Sequence, residues 1–233
     1  MGDEGLHKID NVRFEAITES AYFRPARMHF TQDGRQRSWD MITDGHDSVS
    51  VVLFHKERQE LLFVRQFRPA VYLTRVLEAA GVRSHAEISD WSPYPAELGV
   101  TLELCAGILD KEGVSPEEHV REEVLEECGY RLPASAPIQS ITSCLGGVGI
   151  KARRESIFYA EIDESMREEG GGGGNAHEQE MIELRFCTLD ETRQLLYDPQ
   201  VPRPTGFVLA LQWFLIHKAD RFQTGKFDDR LYL

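Results

Sequence analysis

GILDKEGVSPEEHVREEVLEECGY, residues 107–130, is the stretch from which both the fold and the chemistry can be read. It carries six glutamates between Glu117 and Glu127, with Arg121 the one arginine among them. Ser115 followed by Pro116, Glu117 and Glu118 is an N-cap, a proline at the first helical position and a capping-box glutamate. Gly129 is the stop signal. The spacing predicts a helix over 116–128. At 3.6 residues per turn, Val120, Val124 and Cys128 share a side that faces a core. Glu123, Glu126 and Glu127 share another, with His119 beside them. Glu123 and Glu127 lie one turn apart, where like charges repel unless a cation is shared. Hard carboxylate oxygens without a Cys or His partner suit magnesium or manganese rather than zinc. Charge alone favours a solvated acidic face. A strand-like run at 101–105 and a glycine-containing loop ahead of the helix shift the reading toward a site.

The rest of the chain bounds what that site serves. Its 233 residues hold 41% apolar and 28% charged side chains, the composition of a soluble globular protein of one large domain or one domain with a small added unit. A formal charge of -13 with no basic cluster argues against nucleic acid and anionic membrane as partners. It also means that an acidic site handling phosphates must recruit cations. No apolar run approaches the roughly 20 residues of a membrane span. The N-terminus does not read as a signal peptide, and Leu6 stands where a myristoylation motif wants Ser or Thr. Cys105, Cys128, Cys144 and Cys187 form no CxxC pair and read as free thiols of a reducing cytosol.

Toward the N-terminus, 27–31 and 35–41 flank Gln32-Asp33-Gly34, a hairpin signal. This predicts a small antiparallel unit in which Trp39 is either core or a stacking platform. Strands are expected at 47–54 and 61–67. Arg68 follows the second, as a surface arginine or a phosphate or sugar contact. Residues 73–80 read as a short helix within a long insertion. Beyond the acidic helix, strands are expected at 138–144 and 156–162. Between them Gly146, Gly147 and Gly149 precede a basic run ending at Arg154: a glycine-rich turn, or a place where backbone approaches a ligand. Five consecutive glycines, Gly170 to Gly174, predict a mobile loop without packed structure. A glutamate delivered by that loop to the acidic helix would make it a catalytic lid. Residues 189–197 and 205–219 read as helices, the second apolar enough to pack on the sheet or on a second subunit.

The acidic stretch resembles the Nudix box, G-x5-E-x7-R-E-U-x-E-E-x-G-U, where U is a bulky apolar residue. Gly107 opens the match and Glu123, Val124, Glu126, Glu127, Gly129 and Tyr130 complete it. Three departures stand out. The distance from Gly107 to Glu123 is one residue longer. Glu122 occupies the arginine position, with Arg121 displaced by one. Gly113 or Val114 fills the place of the loop glutamate, with Glu112 only a neighbour. The segments RQFRPAVY, AGILD, GGVG through Arg154, EQEMIEL and ALQWFLIH occur in the order of the ADP-ribose and UDP-sugar pyrophosphatases of that family. The resemblance covers about residues 20–220.

That resemblance implies an α/β/α sandwich with a mixed sheet over 45–233. Ahead of it, 1–44 would form a β unit of a kind that often swaps across a homodimer. It implies Glu123, Glu126, Glu127 and the Ala106 carbonyl as magnesium ligands, manganese being the substitute. Glu180 would be the general base, with Glu178 its competitor and Glu126 assisting. Arg68, Arg154, Trp39 and Gly147 would lie near the substrate. The implied reaction is hydrolysis of UDP-glucose to UMP and glucose 1-phosphate in the cytoplasm. ADP-ribose is the alternative substrate, and a non-catalytic nucleotide-sugar binder the alternative outside enzymes.

Overall fold

The structure, a computed structural model, describes residues 6, 8–20, 23–175 and 180–219. β1 (Pro25–Gln32) and β2 (Arg35–Ile42) pair antiparallel as a sheet of their own. Asp33 and Gly34 both take positive φ at the connection, the geometry whose twist matches the flanking strands. Seven strands form the main sheet: β3 (Ser48–His55), β4 (Glu60–Phe67), β5 (Val100–Glu103), β6 (Cys105–Ile108), β7 (Gln139–Gly146), β8 (Arg153–Ile162) and β9 (Ile182–Thr188). Among the described residues four α-helices complete it: α1 (Pro69–Ala80), α2 (Pro116–Cys128), α3 (Leu189–Tyr197) and α4 (Thr205–His217). Pro69 opens α1, because its fixed φ suits a first helical residue. The helix therefore begins ahead of the expected 73–80.

β3 runs parallel to β8 along one edge. Its other edge is shared. Residues 53–55 pair with β4, and residues 48–51 pair with β6. Beyond their hairpin β3 and β4 separate, and the 100–108 run fills the fork. Its first part pairs with β4 as β5, its second with β3 as β6. The single strand expected at 101–105 is thus two short ones, divided at Leu104. Tertiary pairing with two partners overrides the local strand pattern. The fork places Ala106 and Gly107 at the surface on which α2 packs.

β3 is buried on both faces and its alternation assigns the layers. Val49, Val51 and Leu53 meet Val120, Val124 and Cys128 of α2. Val52 and Phe54 meet Phe207, Leu211 and Phe214 of α4, with Leu195 of α3. This is the α/β/α sandwich with a mixed sheet, and α4 lays Phe207, Ala210, Leu211 and Phe214 on the sheet while Leu209 and Ile216 stay exposed. Each such side chain contributes about 1.5–3 kcal/mol by leaving water.

Candidate active site

α2 forms where its caps direct. The Ser115 hydroxyl accepts from the Glu118 N–H at 3.2 Å, and Gly129 ends the helix in the left-handed region at φ 71°. Val120, Val124 and Cys128 turn inward as expected. Glu127 turns inward with them, 2% exposed, and its Oε2 accepts from the Ala106 N–H of β6 at 3.0 Å. Burial pushes the Glu127 carboxyl up to about 8; donors at Cys105 and Ala106 oppose that shift, and the charges of Glu123 and Glu180 reinforce it. Glu123 lies flat on the next residue of β6. A Cβ on Gly107 would stand 1.8 Å from its Oε1. The absence of a side chain at Gly107 is therefore what lets Glu123 reach the strand. Glu123 and Glu127 thus grip successive residues of β6, while Glu126 is exposed.

The donors are hard oxygens on neighbouring turns, and burial of an ionised Glu127 is costly. Both features fit a divalent cation such as magnesium. Among the described residues no three His, Cys, Asp or Glu side chains are gathered closely enough to hold a metal ion by themselves. Two protein carboxylates are enough for magnesium, which keeps waters and takes substrate phosphates as its other ligands.

The glycine run corrects the expectation of an unpacked loop. Gly173 and Gly174 donate to the carbonyls of Glu127 and Glu126 at 3.0 and 3.1 Å, so the run caps the C-terminal end of α2. A Cβ on Gly172, at φ +88°, would meet the Gly129 nitrogen at 3.0 Å and the Cys128 carbonyl carbon at 3.1 Å. Backbone packs on backbone here, which only glycine permits. Arg167 adds a hydrogen bond to the Cys128 carbonyl at 2.8 Å. Just beyond, the Asn175 N–H donates to Glu180 Oε2 at 3.2 Å. Glu180 is within electrostatic reach of Glu127 and of Arg68. Glu178 lies outside the described residues.

No family model matches the chain. The uridine diphosphate glucose pyrophosphatase NUDT14 of Mus musculus is 38% identical to it over 216 residues, 90% of this chain and 95% of that protein. A GDP-mannose pyrophosphatase of Cronobacter sakazakii is 30% identical over 172 residues, 73% of this chain and 74% of its own. The solved structure of an ADP compounds hydrolase superposes with a TM-score of 0.58 at 16% identity, covering 88% of this chain and 92% of that one, which is a likeness of fold. The chain belongs to the Nudix hydrolases.

As a Nudix pyrophosphatase it has an unusual loop half to its box. The family pattern sets an acid in the loop and an arginine on the helix. Here Lys111 in the loop pairs with Glu122 on the helix at 2.6 Å, a loop-to-helix bridge with the cation in the loop and the acid on the helix. Glu122 is the main cause that raises the Lys111 pKa. Arg121 does not serve Glu123. It donates to the carbonyls of Pro133 at 2.6 Å and Ala136 at 3.0 Å, holding the chain that leaves α2. His119, expected beside the acids, is 2% exposed, and its Nδ1–H reaches the Ser115 carbonyl at 3.1 Å.

Of the residues expected near the substrate, Arg68 stands with the acids. Its pKa is raised by its hydrogen bonds to Glu103 first, with further contributions from Glu127 and Glu180. Trp39, Gly147 and Arg154 gather at the 146–152 turn. The Trp39 Nε1–H donates to the Gly149 carbonyl at 2.7 Å, and the Gly147 carbonyl accepts from Ile150 and Lys151, both at 2.9 Å. Arg154 donates through its N–H to Asp47 at 2.9 Å and through Nη1 to Ser143 at 3.0 Å. Asp47 in turn accepts from the Leu109 N–H at 2.8 Å, which ties this turn to the box loop. Sequence reading missed Glu103 and Lys111. Their signals were one acid in an otherwise uncharged strand and one cation in the loop before α2.

Proposed function

We propose that this Nudix hydrolase cleaves the diphosphate of a nucleoside diphosphate sugar, with UDP-glucose as substrate and UMP and glucose 1-phosphate as products. The observation that carries the reading is the grip of Glu123 and Glu127 on Gly107 and Ala106. The relatives contribute the substrate class, since one is named for UDP-glucose and another for GDP-mannose. Those compounds share a sugar joined to a nucleoside through two phosphates.

Glu123 and Glu127 would hold magnesium, or manganese in its place, with Glu126 and the Ala106 carbonyl completing the protein's share. When bound, the metal supplies positive charge that neutralises the diphosphate and acidifies water in the site. Glu180 accepts the proton of the attacking water, with Glu178 as its competitor. Water adds at one phosphorus, the bridging P–O bond breaks, and each product leaves with one phosphate. Arg68 offers a cation to a phosphate; Arg154, Trp39 and Gly147 meet the nucleoside or sugar end. The same reading has residues 1–44 as a unit exchanged across a homodimer, supported by Met28 and Trp39 of the hairpin being 51% and 50% exposed. It also places the enzyme in a reducing cytosol, in keeping with Cys105, Cys128, Cys144 and Cys187 as free thiols.

The test is product analysis of the pure protein with magnesium and, separately, UDP-glucose, GDP-mannose and ADP-ribose. UMP release faster than GMP or AMP release is expected. Faster AMP release would move the substrate to ADP-ribose with the same residues. Cleavage of none would overturn the reaction. A monomer in gel filtration would overturn the exchange of the hairpin.

A further inference from the structure

Glu103 ends β5 in an otherwise uncharged strand, and it is 7% exposed. Arg68 donates to it from Nε at 2.9 Å and from Nη2 at 2.8 Å. The Thr101 hydroxyl donates at 2.5 Å, and Gln66 lies at 3.5 Å. Every oxygen of the carboxylate is therefore occupied. Burying a carboxylate costs several kcal/mol unless it is paired, and an apolar side chain of similar volume would stabilise the core at least as well. Stability gives no reason for an acid here. The direction it imposes on Arg68 does.

A guanidinium offers paired N–H groups on two edges, Nε with one terminal nitrogen and the two terminal nitrogens together. Glu103 takes the first edge. The Arg68 side chain remains 46% exposed and lines a cavity of about 300 Å³ with Gln66 and Glu180. The second edge is thus the one offered to a ligand. An oxyanion with two oxygens on one atom fits it, as a phosphate does. The tether also keeps Arg68 from turning onto Glu127 or Glu180, whose charges it already feels.

The geometry points to Glu103 as the positioning residue that fixes Arg68 to receive one phosphate of the substrate through its Nη1–Nη2 edge. This rests on the diphosphate reading above and deepens it. The effect passes through Arg68 alone, so it is separable from a structural role.

The test uses the full chain with magnesium and UDP-glucose. Glu103→Gln is expected to raise KM about tenfold, the loss of roughly 1.4 kcal/mol of binding, while kcat falls less. Arg68→Ala is expected to raise KM at least as much. In the Arg68→Ala background, Glu103→Gln should change KM less than about twofold, because its target is gone. An unchanged KM in Glu103→Gln, or effects that simply multiply in the double variant, would overturn the assignment. If Glu103→Gln does not fold, Thr101→Val loosens the same carboxylate and should raise KM about threefold; an unchanged KM there also overturns it. If the wild-type protein cleaves no nucleoside diphosphate sugar, the reaction reading fails, and calorimetric binding of inorganic pyrophosphate with magnesium decides this one. About tenfold weaker binding in both Glu103→Gln and Arg68→Ala supports it. Equal binding in wild type and Glu103→Gln, or no binding by wild type, overturns it.

Discussion

At its N-terminal end α2 is held by groups that water reaches. Ser115 caps the first turn, and Lys111 bridges to Glu122 with 51% and 39% of their side chains exposed. At its C-terminal end the same helix is held by buried groups: the Glu127 carboxyl on the Ala106 N–H, and the glycine run on the carbonyls of Glu126 and Glu127. An exposed ion pair contributes about 0–1 kcal/mol and is indifferent to which partner carries which sign. A pair of this kind can therefore carry its acid on either partner. On the proposed reading the C-terminal half has no such freedom, because its carboxylates must stand at a fixed place on β6 to meet a cation. The sequence pattern departs from the family where the anchoring is soft and keeps to it where the anchoring is stiff.

The stiff end is broken most completely by Glu127→Gln. The amide still accepts from Ala106 through its oxygen, but it removes an anionic ligand. Turnover with saturating magnesium and UDP-glucose is expected to fall about a thousandfold or more, some 4 kcal/mol of barrier. Thermal melting at pH 8 should be no lower than wild type, since a buried charge has been removed. An active Glu127→Gln enzyme would show that the metal is held elsewhere.

A pH titration of the metal-free protein sharpens the same point. The native carboxyl of Glu127 holds its proton to about 8, while its ordinary value is 4.5. Between those limits the native state binds more protons than the unfolded one, so stability falls as pH rises, by at most about 1.4 kcal/mol per pH unit. The contribution is complete below pH 4.5 and gone once pH passes the native value. Denaturant melts without magnesium should show this slope; Glu127→Gln should flatten it and added magnesium should reverse it. A wild-type slope identical to that of Glu127→Gln would show that Glu127 is charged throughout.

Gly107 and Gly172 divide the stiff end into its two contacts. Gly107→Ala would push the Glu123 carboxylate off β6, moving only the end of a flexible side chain. It should weaken magnesium activation about 10–100-fold with little change in melting temperature. Gly172→Ala places a methyl group against the backbone of Cys128 and Gly129 at a φ that L residues rarely adopt. It should cost about 1–3 kcal/mol in denaturant melts and, on the proposed role of Glu180, lower turnover as well, since Asn175 at the end of that run holds the Glu180 carboxylate. Full stability in Gly172→Ala would mean that the run does not cap α2.

These contacts mark the limit of what the sequence carries. The helix, its Ser115 and Gly129 caps and the apolar part of its inward face were legible, because periodicity and capping are local; the burial of His119 and Glu127 on that same face was not. So were the main strands and the alternation of β3. The division of 100–108 into β5 and β6 was not, since it arises from a fork between β3 and β4 that no local pattern encodes. The docking of the glycine run was hidden for a related reason. Glycine signals permission, and whether freedom or close approach is the use made of it depends on what lies opposite. Arg121 was read as the box arginine displaced by one, whereas its guanidinium turns to carbonyls of the following loop. Glu103 gave a weak signal, one acid in a strand, that gains meaning only when Arg68 arrives from 35 residues away.

The soft end supplies the smallest effect and the sharpest control. Lys111→Ala should cost less than about 1 kcal/mol in stability, since both partners are well exposed. Its effect on turnover should also be small, because Glu123 and Glu127 are fixed from the other end. Replacing both partners, Lys111→Glu with Glu122→Arg, restores the family's order of signs. If the bridge only fastens the loop to α2, the double variant should match wild type in stability and in magnesium activation, while each single charge reversal is worse than either. The comparison fails if the double variant loses activity as heavily as Gly107→Ala. In that case the sign of the charge at Glu122, and not merely its pairing, would matter to the acids one turn away, and the two ends of α2 would not be separable.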